Sequence, residues 1–311
     1  ISAGLRHTCA LFTDVGRIKC WGSNSYGQIG DTGGANVNVG AVAGEMGTNL
    51  PFVDFGENPK VVAMQTGSMH TCVLFANGNL KCFGYNGNGQ LGLGDSTHRN
   101  TGDYLADTNS STGFADVGTG RTVVSMHLGE HHTCVVLDNS QVKCFGHNSR
   151  GSLGLGDSMN RGDGAGEMGD FLPAVDFGTN RYAVRVFNSG GRTMCALLNT
   201  AELKCWGDNY EYVLGMGISK DVFIGGNPGE MGDNLVAITL PTGETVVNLW
   251  VVTHVVVIFD DHTMTAWGRT GGGYQLGNMI DAPVGDDLSD MGNNLTIIDL
   301  GTGRKPVQAM L

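Results

Sequence analysis

Eight cysteines form four pairs along the chain, and the two members of each pair are ten or eleven residues apart. The midpoints of three pairs fall on Asn77, Asn139 and Thr200, which belong to short polar turns between apolar segments. The two cysteines of each pair would therefore face each other across a hairpin. Facing Cα atoms in a hairpin are about 4.5–5.5 Å apart, a separation that a disulfide tolerates. We predict four disulfides, with free buried thiols and metal ligation as the alternatives, because the spacing lacks the tight Cys-x-x-Cys pairs of zinc sites. The predicted bonds join Cys9 to Cys20, Cys72 to Cys82, Cys134 to Cys144, and Cys195 to Cys205.

A fifth copy of the same segment, HVVVIFDDHTMTAWG from His254, has Val256 and Ala266 where the two cysteines would stand. Two cysteines that are lost together indicate a bond and not two independent thiols. Disulfides persist in oxidising compartments and are rare in the cytosol. We therefore expect an extracellular, cell-surface or lumenal protein. Because the sequence begins at Ile1 and not at Met, we expect a processed chain or a segment of a longer one.

Histidines and acidic residues are the other candidates for chemistry. A histidine occupies the same position in four of the five repeats, and a ring of histidines could bind metal. Thr193 at this position in the fourth repeat favours a structural hydrogen-bonding role. No contiguous loop has the alternating ligands of a calcium motif, so turn capping is favoured for the acidic loops and no metal site is predicted. These residues are His7, His70, His132 and His254, and Asp95, Asp157, Asp170, Asp233, Asp286, Asp287 and Asp290.

Two Asn-x-Ser/Thr sequences, at Asn109 and Asn294, match the acceptor pattern for N-glycosylation, and an oxidising compartment would support both as glycan sites. No nucleophile elbow, phosphate-binding loop or pair of catalytic carboxylates stands out above the repeat pattern. The glycine spacing of GNGQLGLG resembles a nucleotide loop, but the segment recurs between strands and no helical pattern follows it. We therefore predict no catalytic residue, no cofactor and no enzyme activity.

Charge and hydropathy exclude two kinds of partner. The chain has 18 basic and 30 acidic residues, a formal net charge of −12, and no cluster of Lys and Arg. Nucleic acid is not an expected partner, because phosphate binding needs clustered cations. The longest apolar run, from Leu249 to Phe259, contains Thr253 and His254 and falls short of the roughly 20 residues of a membrane-spanning helix. Membrane insertion is not expected either.

The cysteine segments belong to a tandem repeat of about 62 residues, as the positions Cys9, Cys72, Cys134, Cys195 and Val256 show. Each copy reads as a hairpin, then an aromatic-Gly pair and a polar turn, and four copies add a module such as GEMGTNLPFVDFG from Gly44. Glycine accounts for 51 of 311 residues and recurs at fixed repeat positions, which indicates turns and not disorder. We predict one all-β repeat domain over residues 1–311.

The recurring pattern G-x-x-H-T-C-A-L, turn, x-K-C-W-G-x-N-x-x-G-Q-L-G-x-G-D resembles the regulator of chromosome condensation repeat family over essentially the whole chain. The resemblance implies a β-propeller of five four-stranded blades, or part of a larger propeller or array. The version with cysteines and G-E-M-G is similar to extracellular members of the family. The family's best-known propellers have seven blades, and the loop wedge that the nuclear founder uses for nucleotide exchange has no counterpart here, so exchange activity is not carried over. In a closed propeller the strand VQAM, from Val307, would lie beside the amino-terminal strand.

Two classes of function fit this sequence. The first is an extracellular structural or interaction module that binds a protein, a glycan or copies of itself; the second is an enzyme, or a metal-dependent or lectin-like site, at one mouth of a propeller channel. A catalytic site would break the repeat with exceptional polar residues at converging positions, whereas the departures in repeats four and five resemble interface variation. We therefore favour the interaction module. Its predicted partner surface is Tyr210, Glu211, Tyr212, Arg269 and Tyr274.

Overall fold

The computed structural model describes residues 1–30, 38–55, 60–97, 113–188, 190–270, 274–279 and 281–306. These residues form five antiparallel sheets, one per repeat, each built around the predicted hairpin. The sheets are β1 (Ser2–Ala3), β2 (His7–Phe12) and β3 (Arg17–Gly22); β4 (Val61–Thr66), β5 (His70–Phe75) and β6 (Leu80–Gly84); β7 (Val123–Leu128), β8 (His132–Leu137) and β9 (Val142–Gly146); β10 (Ala183–Phe187), β11 (Thr193–Leu198), β12 (Leu203–Asp208) and β13 (Phe223–Ile224); and β14 (Val246–Val251), β15 (His254–Phe259) and β16 (Met264–Gly268).

The chain divides into two compact units. One contains Ile1–Asn148 and Met159–Ala174, and the other contains Ser149–Ser158 and Val175–Leu311. The prediction of a single domain over residues 1–311 stays a prediction. The described helices are three-residue 3-10 turns, and none in the described ranges has the length and apolar character needed to cross a bilayer.

Strand register places each cysteine opposite its partner, and the structure contains the four predicted disulfides. The bonded Cα atoms are 4.0–4.1 Å apart, and all eight cysteines are buried. In the fifth sheet Val256 faces Ala266 in the same register, so a small apolar pair fills the position of the bond. The four bonds join Cys9 to Cys20, Cys72 to Cys82, Cys134 to Cys144, and Cys195 to Cys205.

Among the described residues, a four-stranded sheet is formed in the fourth repeat, where β13 pairs with β12. In repeats one, three and five the segment at this position makes one isolated bridge to the end of the third strand, and the corresponding part of repeat two lies outside the described residues. A glycine with positive φ directly follows the bridging residue, and this backbone conformation turns the chain out of the ladder after one residue. The bridges are Gly22↔Val39, Gly146↔Arg161 and Gly268↔Val284, and the glycines are Gly40 (φ 95°), Gly162 (φ 89°) and Gly285 (φ 89°). Repeats three and five add a second isolated bridge farther along the same strand, Lys143↔Ala174 and Thr265↔Ile297.

The aromatic residue after the second cysteine is buried in repeats two to five, whereas Trp21 in the first repeat is only partly buried. Phe83, Phe145, Trp206 and Trp267 are at most 2% exposed. Both indole N–H groups find acceptors, since Trp206 Nε1 donates to the Ser152 carbonyl and Trp267 Nε1 to the Val213 carbonyl, each at 3.0 Å. Such pairing allows a large ring to be buried without leaving a polar group unsatisfied.

Neighbouring repeats also meet through the G-E-M-G module, whose last glycine opens a 3-10 turn. Gly169 N donates to Asp116 O of the preceding repeat at 3.0 Å in the first unit. In the second unit Gly232 N donates to Asp176 O at the same distance. The lysine before the second cysteine also contacts this turn. The Lys204 side chain is buried, and its Nζ donates to the Gly232 carbonyl at 3.0 Å.

Candidate functional site

Four of the five residues in the predicted partner surface come together in the second unit. Tyr210–Tyr212 is a 3-10 turn directly after β12, and Arg269 directly follows β16. Arg269 donates from Nη1 to Glu211 Oε1 at 2.9 Å, which joins the loops of repeats four and five. Tyr274 is 56% exposed, but no hydrogen bond or ion pair connects its side chain to the other four among the described residues.

The backbone of this turn is strained. Glu211 and Tyr212 both have φ of 63°, in the left-handed region that favours glycine. The same repeat position as Tyr212 is held by Gly27, Gly89 and Gly151, with φ of 80°, 82° and 67°. Tyr274 has φ of 54° and precedes Gln275 as Gly27 and Gly89 precede their glutamines. Two tyrosines therefore adopt a conformation that the other repeats assign to glycine, and strain of this kind is concentrated at functional sites.

Glycine has a second role in the other repeats, because it allows two loops to approach closely. A Cβ on Gly89 would lie 2.3 Å from the carbonyl carbon of Gly162, and one on Gly151 would lie 2.5 Å from the amide nitrogen of Gly226. Tyr212 and Tyr274 fit only where the facing loop leaves room for a ring. The replacement of a repeated glycine by tyrosine is visible in the sequence and is the signal that identifies this site.

The charges at the site are arranged around a buried carboxylate. The Glu211 side chain is 8% exposed, whereas that of Arg269 is 52% exposed. The hydrogen bond with Glu211, reinforced by its charge, raises the pKa of the Arg269 guanidinium. The same carboxylate raises the pKa of the Tyr210 phenol. Glu211 Oε2 is buried, and no hydrogen bond to it has normal geometry within the described part of the chain.

The repeat positions of Glu211 and Arg269 are also in contact in other repeats, but there they hold other side chains. In the first unit, at the repeat positions of Glu211 and Arg269, the rings of Tyr26 and Tyr85 lie edge to face with centroids 5.0 Å apart. In the second unit, Arg150 Nε is 3.9 Å from Asp208 Oδ2. One structural contact between consecutive repeats is thus aromatic in one place and ionic in two. Sequence reasoning missed this series, although the residue after the aromatic-Gly pair visibly changes from repeat to repeat.

The aromatic pair of the first unit continues into a row. The Tyr85 and His131 rings have centroids 5.9 Å apart, and the His131 and His147 rings are 6.4 Å apart. Glu130 Oε1 lies 3.6 Å from His131 Nε2. These partly exposed rings, together with one carboxylate, form a second candidate binding surface.

The remaining sequence candidates have local roles in the described structure. His7 Nε2 is 2.9 Å from Thr71 Oγ1, and His70 Nε2 is 3.1 Å from Thr133 Oγ1, so these histidines connect consecutive repeats. The Asn294 amide donates to the Ser289 carbonyl at 2.8 Å, while Asn109 lies outside the described residues. Glycosylation at either asparagine stays a prediction. Among the described residues, no cluster of three or more His, Cys, Asp or Glu side chains could hold a metal ion.

A family model for the regulator of chromosome condensation (RCC1) repeat matches residues 1–28, 61–90 and 123–152. The X-linked retinitis pigmentosa GTPase regulator of Canis lupus familiaris is 29% identical over 168 residues, which cover 54% of this chain and 15% of that protein. The ultraviolet-B receptor UVR8 of Arabidopsis thaliana is 36% identical over 105 residues, which cover 32% of this chain and 20% of the receptor. The chain therefore spans a fifth or less of the length of these curated relatives.

The solved structures also resemble this fold. The crystal structure of Prp20p from Saccharomyces cerevisiae, described together with its binding to Gsp1p and histones, aligns with a TM-score of 0.63 and 16% sequence identity. The alignment covers 96% of this chain and 62% of Prp20p. At this identity the likeness concerns the fold, which is a β-propeller type assembled from RCC1 repeats.

Proposed function

Because the chain belongs to the regulator of chromosome condensation repeat family, we propose that it is a non-enzymatic interaction module that binds a partner protein through the turn at Tyr210–Tyr212 and the neighbouring Arg269. The strained backbone of this turn is the observation that carries the proposal. Two successive left-handed residues, neither of them glycine, cost roughly 1–3 kcal/mol each. Strained backbone of this kind is concentrated at functional sites, where it orients side chains for binding.

The side chains that the turn presents suit recognition of a protein. Tyr210 is 58% exposed and Tyr274 is 56% exposed, and exposed tyrosines combine a large apolar area with a polar tip. Tyrosine and arginine are enriched among the residues that dominate binding energy. The buried carboxylate of Glu211 holds Arg269 in place, so the guanidinium is presented in a defined orientation. A partner that offers a carboxylate or carbonyl acceptor beside an apolar surface would bind the half-exposed Arg269 guanidinium and cover Tyr210.

Relatives support a protein as the partner. Prp20p is described as binding Gsp1p and histones, which are proteins. We carry over the class of ligand and not its identity, because the two chains are only 16% identical.

Four buried disulfides support an extracellular, cell-surface or lumenal location for this module. A partner available in that environment is therefore proposed, with a secreted or membrane-anchored protein as the class.

A glycan is the second candidate ligand, and the row of Tyr26, Tyr85, His131 and His147 in the first unit favours it. Partly exposed rings beside a carboxylate, here Glu130, can pack on the apolar face of a sugar while accepting a hydroxyl hydrogen bond. Replacement of Tyr85 by Ala should abolish retention on a glycan array if this surface is used. Protein partners captured through Tyr210 should be unaffected.

The test compares affinity capture by the unmodified chain, a Tyr210→Ala/Tyr274→Ala double variant and a Tyr182→Ala control. Tyr182 is 50% exposed in the same unit but has ordinary backbone geometry, so it matches the loss of an exposed ring without altering the site. Proteins from the extracellular fluid or cell surface of the source organism should be retained by the unmodified chain and the control, and lost at least tenfold by the double variant. Equal capture by all three would overturn the proposal for this surface.

A further inference from the structure

Two arginines in the second unit are each held by a carboxylate of a neighbouring repeat. Arg269 Nη1 donates to Glu211 Oε1 at 2.9 Å, and Arg150 Nε lies 3.9 Å from Asp208 Oδ2. In both pairs the carboxylate is the more buried partner. The side chains of the two carboxylates are 12% and 8% exposed, whereas those of the two arginines are 43% and 52% exposed. The surface therefore presents two guanidinium groups, with the negative charges on their buried side.

Tyr210 belongs to the same group of residues. Its backbone N–H donates to Asp208 Oδ1 at 3.2 Å, and it directly precedes Glu211 in the strained 3-10 turn. The carboxylates that hold the arginines thus lie on either side of Tyr210 along the chain. Since the ring of Tyr210 is 58% exposed, this turn presents an aromatic surface together with the two cationic groups.

The loop before β13 adds apolar surface beside the turn. Asn209, which precedes Tyr210, donates from its backbone N–H to the Val222 carbonyl at 3.1 Å. Its side-chain amide donates to the carbonyls of residues 218 and 219 at 3.0 Å each. These three hydrogen bonds fix the loop to the turn. Val222 is 40% exposed, so its side chain extends the apolar area around Tyr210.

Strand β13 places a second ring next to Arg150. Phe223 faces Asp208 in the register of β12 and β13, and the Phe223 ring centroid lies 5.9 Å from Arg150 Cζ. This distance falls at the limit of a cation–π contact. Arg150 therefore lies against both the carboxylate and the ring that the two strands bring together.

Both guanidinium groups keep hydrogen-bond donors for a ligand. A guanidinium carries several N–H donors in one plane, an arrangement that matches a carboxylate through two parallel bonds. Within the described part of the chain, Arg269 donates one side-chain hydrogen bond, and the contact of Arg150 with Asp208 is too long to be one. Because the carboxylates already orient the two arginines, a ligand would lose little affinity to the ordering of these side chains.

The ion pairs are not required to join consecutive repeats. In the first unit the repeat positions of Glu211 and Arg269 hold Tyr26 and Tyr85, whose rings make an uncharged contact. The chain as a whole has 18 basic and 30 acidic residues, so two exposed arginines beside an exposed tyrosine depart from its general charge. A binding role accounts for charges that the fold itself does not need.

We propose that the arginine row, defined as Arg150, Tyr210 and Arg269, binds an acidic segment of the partner protein in which two carboxylates flank an apolar side chain. The inference rests on the proposed function and names the chemistry of its partner. Each guanidinium binds one carboxylate through charge-assisted hydrogen bonds, which are stronger than those to a neutral amide. The apolar side chain covers Tyr210 and Val222.

Fluorescence anisotropy with two labelled peptides tests this inference. The unmodified chain should bind the peptide Glu-Glu-Trp-Glu-Glu at least about tenfold more tightly than Gln-Gln-Trp-Gln-Gln. Arg150→Gln and Arg269→Gln should each remove most of this preference. Arg185→Gln is the control, because Arg185 is exposed in the same unit but donates to the Val247 backbone carbonyl. Equal binding of the two peptides by the unmodified chain would overturn the inference.

Stability of the variants is checked separately. Arg269→Gln leaves the buried Glu211 carboxylate without its charge partner, so circular dichroism and thermal unfolding must show that this variant is folded. Arg150 is half-exposed and its contact with Asp208 is longer, so Arg150→Gln should unfold at the temperature of the unmodified chain. Arg150→Lys should recover part of the peptide preference, because lysine keeps the charge but not the planar donor geometry.

Capture of partner proteins separates this inference from the proposed function. If the Tyr210→Ala/Tyr274→Ala variant loses its partners while Arg150→Gln and Arg269→Gln retain them fully, the turn binds protein but the acidic segment is wrong. If the double variant retains every partner, the proposed function itself is wrong. Heparin is the competing probe, and a row that binds heparin but does not distinguish the acidic peptide from its amide counterpart would assign the arginines to a sulfated glycan.

Discussion

Buried lysines join the 3-10 turns of the G-E-M-G modules to the preceding repeat. In the first unit Lys143 Nζ donates to the carbonyls of Val117 and Gly169, at 3.0 and 2.7 Å. Burial lowers the pKa of this ammonium group and of its counterpart Lys204. A buried cation is tolerated when its protons are satisfied, and here they bridge two repeats. In repeat five Thr265 takes the position and donates to the Thr296 carbonyl at 2.9 Å, so a shorter donor serves a different acceptor.

Replacing Lys204 by Met should lower the free energy of unfolding by about 2–4 kcal/mol. The substitution keeps the apolar stem but leaves the carbonyls of Phe177 and Gly232 without their charged donor. Lys19→Met is the control, because Lys19 is less buried and donates to one exposed carbonyl, and it should cost less than about 1 kcal/mol. Urea denaturation of both variants measures the difference, and equal losses would contradict the bridging role.

Because the histidines that connect repeats are buried, we predict that the free energy of unfolding depends on pH. Burial lowers the pKa of His7 from 6.5 to about 4, and burial also lowers the pKa of His70. Below about pH 6.5 the unfolded chain takes up protons that folded His7 refuses until about pH 4, so stability falls as pH decreases through this window. The slope is up to about 1.4 kcal/mol per pH unit for each such histidine. Carboxylates whose pKa is lowered, such as Glu202 at about 2, chiefly through its hydrogen bond with Arg181, contribute stability that is lost below about pH 4.5.

This dependence is measured by chemical denaturation at pH 7, 6 and 5. His7→Thr, which introduces the residue found in repeat four, should reduce the slope. Parallel profiles for the unmodified chain and His7→Thr would contradict the lowered pKa, because they would show that His7 takes up its proton equally in the folded and unfolded chains.

Some of these residue roles can be read from the sequence and others cannot. The cysteine pairs are predictable because a disulfide requires opposed positions in a hairpin, and spacing alone reveals these. The pairing of Glu211 with Arg269 spans 58 positions and depends on how two loops meet, so the sequence indicates both residues as irregular but not as partners. The role of Lys204 was missed for the same reason, since its acceptors are backbone carbonyls that carry no sequence signal.

The disulfide stabilises each of the first four hairpins, but the hairpin register does not depend on that bond. The fifth hairpin, β15 and β16, keeps the register of the other four with Val256 opposite Ala266. Closing a loop of ten residues stabilises by about 2–3 kcal/mol in the chain-entropy model. The hairpin's apolar sides and its backbone ladder supply the rest.

Transplanting the fifth hairpin's pair tests this interpretation. A double variant with Cys72→Val and Cys82→Ala should lose at most about 2–3 kcal/mol of stability and keep its fold. The reverse change, Val256→Cys with Ala266→Cys, should form a fifth disulfide and raise stability by a similar amount, because the facing positions already have disulfide register. Denaturation with and without reductant reports both. A fifth pair that remains reduced under oxidising conditions would contradict the register argument.

The turn after β12 supports an opposite pair of substitutions. Tyr212→Gly should change the free energy of unfolding by no more than about 1 kcal/mol, because relief of left-handed strain offsets the lost ring contacts. Gly89→Ala, at the same repeat position, should cost about 2–4 kcal/mol, since its Cβ would collide with the backbone of residues 162 and 163. Thermal unfolding of the two variants is the measurement. A large loss for Tyr212→Gly would mean that the tyrosine is structural and not presented for binding.

The strands themselves were predictable from apolar segments and turn residues, but their number per sheet was not. The family pattern implies four strands, and whether a fourth strand extends beyond one bridge depends on where a positive-φ glycine interrupts it. In repeat four Phe223 pairs with Asp208 before Gly225 ends the ladder, and this one additional pair makes β13 a strand. The glycine content predicts that turns are present, but it does not predict which glycines have positive φ.

The disulfides and the predicted glycan sites both depend on the compartment in which the whole protein works. Native material should show no thiol that reacts with an alkylating agent under denaturing conditions and eight after reduction, because all eight cysteines are paired. Intact mass measures both, and an excess over the chain mass that glycosidase removes would place sugar on the protein. Asn294→Gln should remove part of that excess if Asn294 carries sugar; its side chain is exposed, and an amide substituted by sugar keeps one N–H to donate to the Ser289 carbonyl. Eight thiols alkylated without reduction, at the mass of the unmodified chain, would overturn the extracellular proposal and direct the search for the Tyr210 partner to reducing compartments.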